Sequence, residues 1–219
     1  MRGEYETAKG IYDTDNTFSP RPIAWDNYQS DPEQWFLLCT FHDLDDDMVD
    51  PVRFCAKLAH LHLNATSTDG RFGFSCQTSR AGEDWSDTWE ECFTKLIRTL
   101  LKMEWTARGP DNELVDLSTH LLDTVIPRLL RPLESEGRHI KPSLCHGDLW
   151  YGNACTDLAT NEPIIFDGKA LYAHNEYELG DWYAARNRFG RAYFRAYQAH
   201  IPHSPPEEDF SGRNILYSL

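Results

Sequence analysis

No run of apolar residues in the 219-residue chain approaches the ~18 that a membrane-spanning helix needs, and Met1 to Glu6 carry no apolar core of a secretory leader. Basic residues are scarce: 21 Lys and Arg stand against 35 Asp and Glu, for a net charge of −14. That balance excludes the basic footprint of a nucleic-acid binder and disfavours an anionic membrane surface. The six cysteines (Cys39, Cys55, Cys76, Cys92, Cys145 and Cys155) form no C-x-x-C and are widely spread. They read as reduced, mostly buried thiols of a soluble cytoplasmic protein. The thirteen glycines contain no G-x-G-x-x-G, so a phosphate-covering loop of that type is not in this sequence. Internal repeats and low-complexity tracts are absent as well.

What is present is ordinary in amount, with 41% hydrophobic and 26% charged residues, enough for one core and a small second lobe. Aromatics are plentiful and belong to the core by default. The acidic run Asp43, Asp45, Asp46, Asp47 and Asp50 reads as a solvated approach to a helix. The informative stretch is His146-Gly147-Asp148-Leu149-Trp150-Tyr151-Gly152-Asn153, which has the form H-G-D-x-x-x-x-N. A further carboxylate, Asp167, follows the apolar run Pro163 to Phe166. Kinases of the protein-kinase type need such a set: an Asp as base toward the acceptor hydroxyl, with an Asn five residues later and a strand-borne Asp holding Mg²⁺ on the ATP phosphates. Asp148 is therefore the expected catalytic base, and Asn153 and Asp167 are the expected metal ligands. Trp150, two residues after the base, is placed to cover a sugar ring.

At these residues the chain resembles the fructosamine kinases (ketosamine-3-kinases), which share the fold of the aminoglycoside and choline kinases. The resemblance rests on H-G-D-L-W-Y-G-N and on Tyr172-Ala173-His174-Asn175-Glu176-Tyr177-Glu178-Leu179-Gly180. Pro20 to Trp25 and Leu129 to Glu134 bring it closest to the fungal-type members. It implies an α+β, protein-kinase-like fold, with a partial amino-terminal lobe and hinge over 1–42 and a mostly helical carboxy-terminal lobe over 43–219. It also implies ATP- and Mg²⁺-dependent phosphorylation of a ketosamine on a protein lysine, a ribulosamine more than a fructosamine, in repair of glycation. By resemblance His174 and Glu176 belong to the acceptor side. Glu4, Cys39 and Phe41 belong to the nucleotide side, Glu4 as the glutamate that orients a strand lysine and the other two at the hinge. That lysine and a glycine loop are expected upstream and more helix downstream, so the chain is expected to be shortened at both ends.

Two departures accompany the resemblance. Relatives carry small residues where this chain has Lys169, which could pair with Asp167 or add a phosphate contact. The segment between Phe74 and Trp85 is expected to be shorter than in fungal-type relatives. These keep open a second reading, a catalytically silent binding module, and a third keeps the chemistry but takes an aminoglycoside, choline or homoserine acceptor.

Among the elements, a helix is expected over Met1–Asp13 and a strand over Trp35–Phe41. Asp50-Pro51 should start a helix that buries Phe54, Cys55, Leu58, Leu61 and His62. On it His60 and His62 point different ways and make no metal pair. A helix opened by Asp87 with Glu90 should carry the stripe Trp85, Trp89, Cys92, Phe93, Leu96 and Leu100 and end before Gly109-Pro110. A third, from Asn112, should turn Leu114, Leu117, Leu121, Leu122 and Val125 inward and kink or break at Pro127. One long helix is expected over Leu179–His200, and another opening at Ser204-Pro205-Pro206.

Overall fold

A computed structural model describes residues 1–45, 47–76, 85–109 and 111–219. Asp46 of the acidic run, Pro110, and residues 77–84 of the segment expected to be shortened lie outside the described residues. Helix α1 (Arg2–Thr14) buries Gly3, Thr7 and Ile11, one face at four-residue spacing. Strands β1 (Pro22–Tyr28) and β2 (Asp31–Cys39) pair antiparallel, with Trp25 opposite Leu37 and Asn27 opposite Trp35. The rings of Trp25 and Trp35 stack at 5.7 Å, while Ile23, Trp35 and Leu38 remain about half exposed. Strand β2 thus begins four residues before the expected Trp35 and stops at Cys39. The chain then passes through β3 (Leu44–Asp45) into α2 (Pro51–Asn64).

Asp50 caps α2 as its sequence predicts: Oδ1 accepts the Arg53 N–H at 2.9 Å, and Pro51 opens the helix. Phe54, Cys55, Leu58, Leu61 and His62 are buried, whereas His60 faces out and bonds Asn64. Helix α3 (Trp89–Arg108) is capped by Thr88 rather than Asp87, through Thr88 Oγ1 and the Glu91 N–H. Its stripe is buried from Trp89 to Ile97, and Leu100, beyond the core, is exposed.

Helix α4 (Asn112–His120) is interrupted before Pro127. It widens into a π turn over Leu121–Val125, where the Ile126 N–H bonds Leu121 O, and resumes as α5 (Ile126–Leu130). The extra residue in that turn makes room for the proline ring and shifts the phase of the helix by about 100°. Leu117, expected to face inward, is exposed.

The remaining strands are short. β4 (Ser143–Cys145) pairs with β7 (Leu171–Ala173), and β5 (Ala154–Asp157) lies between β3 and β6 (Glu162–Ile165), all antiparallel. The long helix over Leu179–His200 does not form. 3₁₀ turns occupy Asn175–Tyr183 and Ala185–Asn187, Arg188 turns the chain at φ 68°, and α6 spans only Arg191–Gln198. Packing decides this. Trp182 and Tyr197 would lie about 22 Å apart on a straight helix, whereas their rings meet at 6.3 Å. Bending the chain lets Trp182, Phe189 and Tyr193 surround Phe54 of α2, with ring distances of 6.2, 5.2 and 6.1 Å. Helix α7 (Phe210–Tyr217) closes the described chain. No helix among the described residues is long and apolar enough to cross a membrane.

Candidate active site

The loop after β4 is built from buried groups. The Glu178 carboxylate accepts the backbone N–H of His146 at 2.5 Å and of Gly147 at 3.0 Å. His62 Nε2 of α2 lies 3.5 Å from the same carboxylate, while its Nδ1 side meets the Tyr197 hydroxyl at 2.6 Å. Burial pushes the Glu178 carboxyl up, but the neighbouring His62 imidazole and the His146 backbone N–H outweigh it and hold the group below its ordinary range. Cys145, His62 and Glu178 crowd together, yet Glu178 is already committed to the two backbone donors.

Two turns bring the loop and the Asp167 segment together. Gly147 adopts φ 79°, and a Cβ there would stand 2.4 Å from the carbonyl oxygen of Lys169. In return the Lys169 N–H donates to His146 O at 2.7 Å. Asp167, just past β6, is itself left-handed at φ 65°, a conformation that Asp tolerates better than most residues. Gly168 then packs so closely on Thr7 of α1 that a Cβ would lie 2.4 Å from its methyl carbon. The His146 ring joins both parts through Nε2 and Phe166 O at 2.9 Å. Burial, opposed by the nearby carboxylates, keeps this imidazole below its ordinary pKa, so it stays neutral and orders the loop.

Asp148 lines a cavity of about 380 Å³ with Trp150, Tyr151, Asp181, Arg186 and Asn187. Trp150 is 40% exposed there and packs edge-on against Tyr151 at 5.0 Å. The Arg188 guanidinium lies over the Tyr151 ring at 4.7 Å. Asn153 donates from Nδ2 to Asp148 O at 2.8 Å, which leaves its Oδ1 as the atom able to meet a hard cation.

A second cavity, of about 220 Å³, holds Glu4, Leu37, Cys39, Thr40 and Asp167. Burial first, and the charge of Asp167 next, hold the Glu4 carboxyl above its ordinary value. Two carboxylates that close form an oxygen-rich corner suited to a divalent cation. Oxygen donors from Asn153 and Asp167 fit magnesium in kind.

Three sequence-derived placements need correction. Phe41, expected at the hinge beside the nucleotide, is 91% exposed and stands outside this cavity, because β2 ends at Cys39 and Thr40 turns back to bond Arg21. His174 and Glu176, expected to face the acceptor, are 0% and 2% exposed. The His174 ring bonds Tyr217 at 3.0 Å and Ser204 at 2.8 Å, and Glu176 forms a buried ion pair with Arg213 at 2.7 Å. They fasten the carboxy-terminal segment to the core. Lys169 does not pair with Asp167: its ammonium is 2.6 Å from Asp148 Oδ2.

Sequence reasoning missed Glu178, Asp181 and Asn187. None belongs to a short motif with a stated mechanism, and each is brought in by the 3₁₀ turns that replaced the expected helix. Asn187 spends Nδ2 on Asp181 O at 2.6 Å, while its buried Oδ1 has no hydrogen-bond partner.

The chain is 30% identical over 225 residues to a chloroplastic protein-ribulosamine 3-kinase of Oryza sativa subsp. japonica, matching all of this chain and 61% of the rice protein. It is 36% identical over 157 residues to ketosamine-3-kinase of Mus musculus, a match over 68% of this chain and 46% of that one. The chain thus spans about three fifths or less of these relatives' length. A crystal structure from Thermobifida fusca, provisionally named a fructosamine-3-kinase, superposes with a TM-score of 0.75 at 21% identity, over 99% of this chain and 70% of that one. A thermostable mutant of aminoglycoside phosphotransferase APH(4)-Ia shares the fold at a TM-score of 0.59 and 14% identity, over 99% of this chain and 75% of that one. These neighbours place the architecture among mixed α+β, protein-kinase-like folds. With the fructosamine kinase family model matching residues 1–219, the chain belongs to the fructosamine kinase family.

Proposed function

We propose that the chain transfers the terminal phosphoryl group of ATP to a sugar hydroxyl of a ketosamine, a ribulosamine on a protein lysine being the preferred acceptor. The observation that carries this reading is the shared cavity of Asp148 and Trp150, which sets a carboxylate base beside an exposed indole face. The acceptor hydroxyl gives its proton to Asp148 as its oxygen bonds to phosphorus, and ADP leaves with the pair of electrons from the broken P–O bond. Magnesium, held by Asn153 and Asp167, would supply positive charge to the phosphates. Asp181 and the unpartnered Asn187 Oδ1 line the acceptor cavity and can receive hydrogen bonds from sugar hydroxyls or from the amine of the ketosamine. The nucleotide belongs on the side of Glu4, Cys39 and Asp167. In this reading the protein removes glycation damage in the cytoplasm.

A silent binding module is the second reading, and one contact favours it: Lys169 rests where the acceptor hydroxyl must meet Asp148. Phosphate transfer from labelled ATP to ribulosyl-lysine separates the two. Asp148→Asn should lower kcat by about 10²–10⁴-fold. Turnover equal to that of the unaltered chain would remove Asp148 as base, and its absence from the unaltered chain would favour the binding module.

A further inference from the structure

The Lys169 side chain interacts with one residue of each cavity, Asp148 and Glu4. Its ammonium bonds Asp148 on the acceptor side at 2.6 Å and is 41% exposed, so it is not locked in by packing. Its charge also acts on Glu4, which lines the other cavity. The backbone beneath it is fixed, because its N–H holds His146 O and its carbonyl rests against Gly147. A partly exposed cation on a fixed backbone is therefore within reach of the path by which a phosphoryl group would cross from nucleotide to acceptor.

We propose that Lys169 is a catalytic residue which binds the terminal phosphate of ATP, and that its bond to Asp148 is the resting position it leaves when nucleotide arrives. This rests on the phosphotransfer reading above. In the step itself the acceptor O–H proton passes to Asp148, the new O–P bond forms and the bond to the ADP oxygen breaks. Lys169 keeps its own protons and donates hydrogen bonds to the phosphoryl oxygens, where charge moves during transfer. Departure of the ammonium also frees Asp148 Oδ2 for the acceptor hydroxyl. The same movement thus readies the donor and the base together.

The discriminating measurement is nucleotide binding by the full chain, followed by tryptophan fluorescence or calorimetry with Mg²⁺. ADP is compared with AMP-PNP, which carries a third phosphate that is not transferred. Lys169→Met should weaken AMP-PNP about 10- to 100-fold and leave ADP within about threefold, as expected for one lost charge-assisted contact. Lys169→Arg, which keeps the charge, should restore most of the difference. In the transfer assay Lys169→Met should lower kcat by about 10²–10³-fold.

An unchanged AMP-PNP-to-ADP ratio in Lys169→Met would overturn the proposal while leaving phosphotransfer intact. Faster turnover in that variant would also overturn it, by making the ion pair a brake. If the unaltered chain bound neither nucleotide, the phosphotransfer reading would fail and this inference with it.

Discussion

The position of Asp148 is set less by its own contacts than by Gly147 and Glu178. Glu178 gathers two consecutive backbone N–H groups, and the left-handed Gly147 permits the Lys169 carbonyl to pass beneath. Gly147→Ala would place a methyl group where an oxygen already is, and would also strain a backbone at φ 79°. The expected cost is about 1–3 kcal/mol of stability, together with a displaced base. Chemical denaturation and the transfer assay on one preparation check it, and kcat should fall by more than the lost folded fraction explains. At this scale the sequence was readable where function imposes short-range spacing. Asp148 and Asn153 are fixed by one loop, and Asp167 by the strand before it. Glu178, 32 and 31 residues from the two N–H groups it caps, lies in the quoted Tyr172–Gly180 stretch but shows no role there, since any buried carboxylate in a 3₁₀ turn would look the same in the chain.

Elements were legible where local chemistry ends or starts them. Asp50-Pro51 opens α2 because the cap and the ring act within four residues. The stretch from Leu179 to His200 misled because aromatic residues at helical spacing report that one side is buried, without saying that the chain stays straight. His174 and Glu176 misled for a related reason: a polar pair in a family motif serves structure as readily as chemistry. Glu176 Oε2 takes Arg213 Nε at 2.7 Å, while Arg213 also donates to Ser204 O and Pro206 O. Burial raises the Glu176 carboxyl and is outweighed by His174 and Arg213, so the group stays charged. Arg213→Met should therefore leave an unpaired buried carboxylate and cost about 3–5 kcal/mol. For a chain of this size that is a fall in Tm of roughly 10 °C. Adding Glu176→Gln should recover much of the loss, because an amide tolerates the apolar site better than a charge. If the double variant melted lower than Arg213→Met, the ion pair would not be what joins α7 to the 3₁₀ segment.

Across the whole molecule, buried titratable groups under the site make stability depend on pH. His174 is buried, and burial first, then Arg213 and His62, lower its pKa from 6.5 to about 4, against the opposing pull of Glu176. The groups facing it are the Tyr217 hydroxyl, the Ser204 hydroxyl, Glu176, Arg213 and His62. Below pH 6.5 the unfolded chain takes up a proton at this residue while the folded chain refuses it until about pH 4. Protons then favour the unfolded state, so the contribution is complete above pH 6.5 and lost as pH falls toward 4. At 1.36 kcal/mol per pH unit that interval corresponds to about 3 kcal/mol. Glu176 and Glu178, both held below the ordinary carboxylate value, add a loss that begins lower, under pH 4.5. Tm should accordingly be flat between about pH 7 and 8.5, below the ordinary thiol range, and decline in two stages on the acid side, the first owed largely to histidine. His174→Gln can keep a hydrogen bond to Ser204 or Tyr217 but cannot charge, so it should melt lower at pH 7.5 and show a shallower decline between pH 6.5 and 4.5. An equal slope in both proteins would mean that the imidazole titrates alike folded and unfolded. The segment around His174 would then be open to solvent rather than buried beneath the catalytic loop.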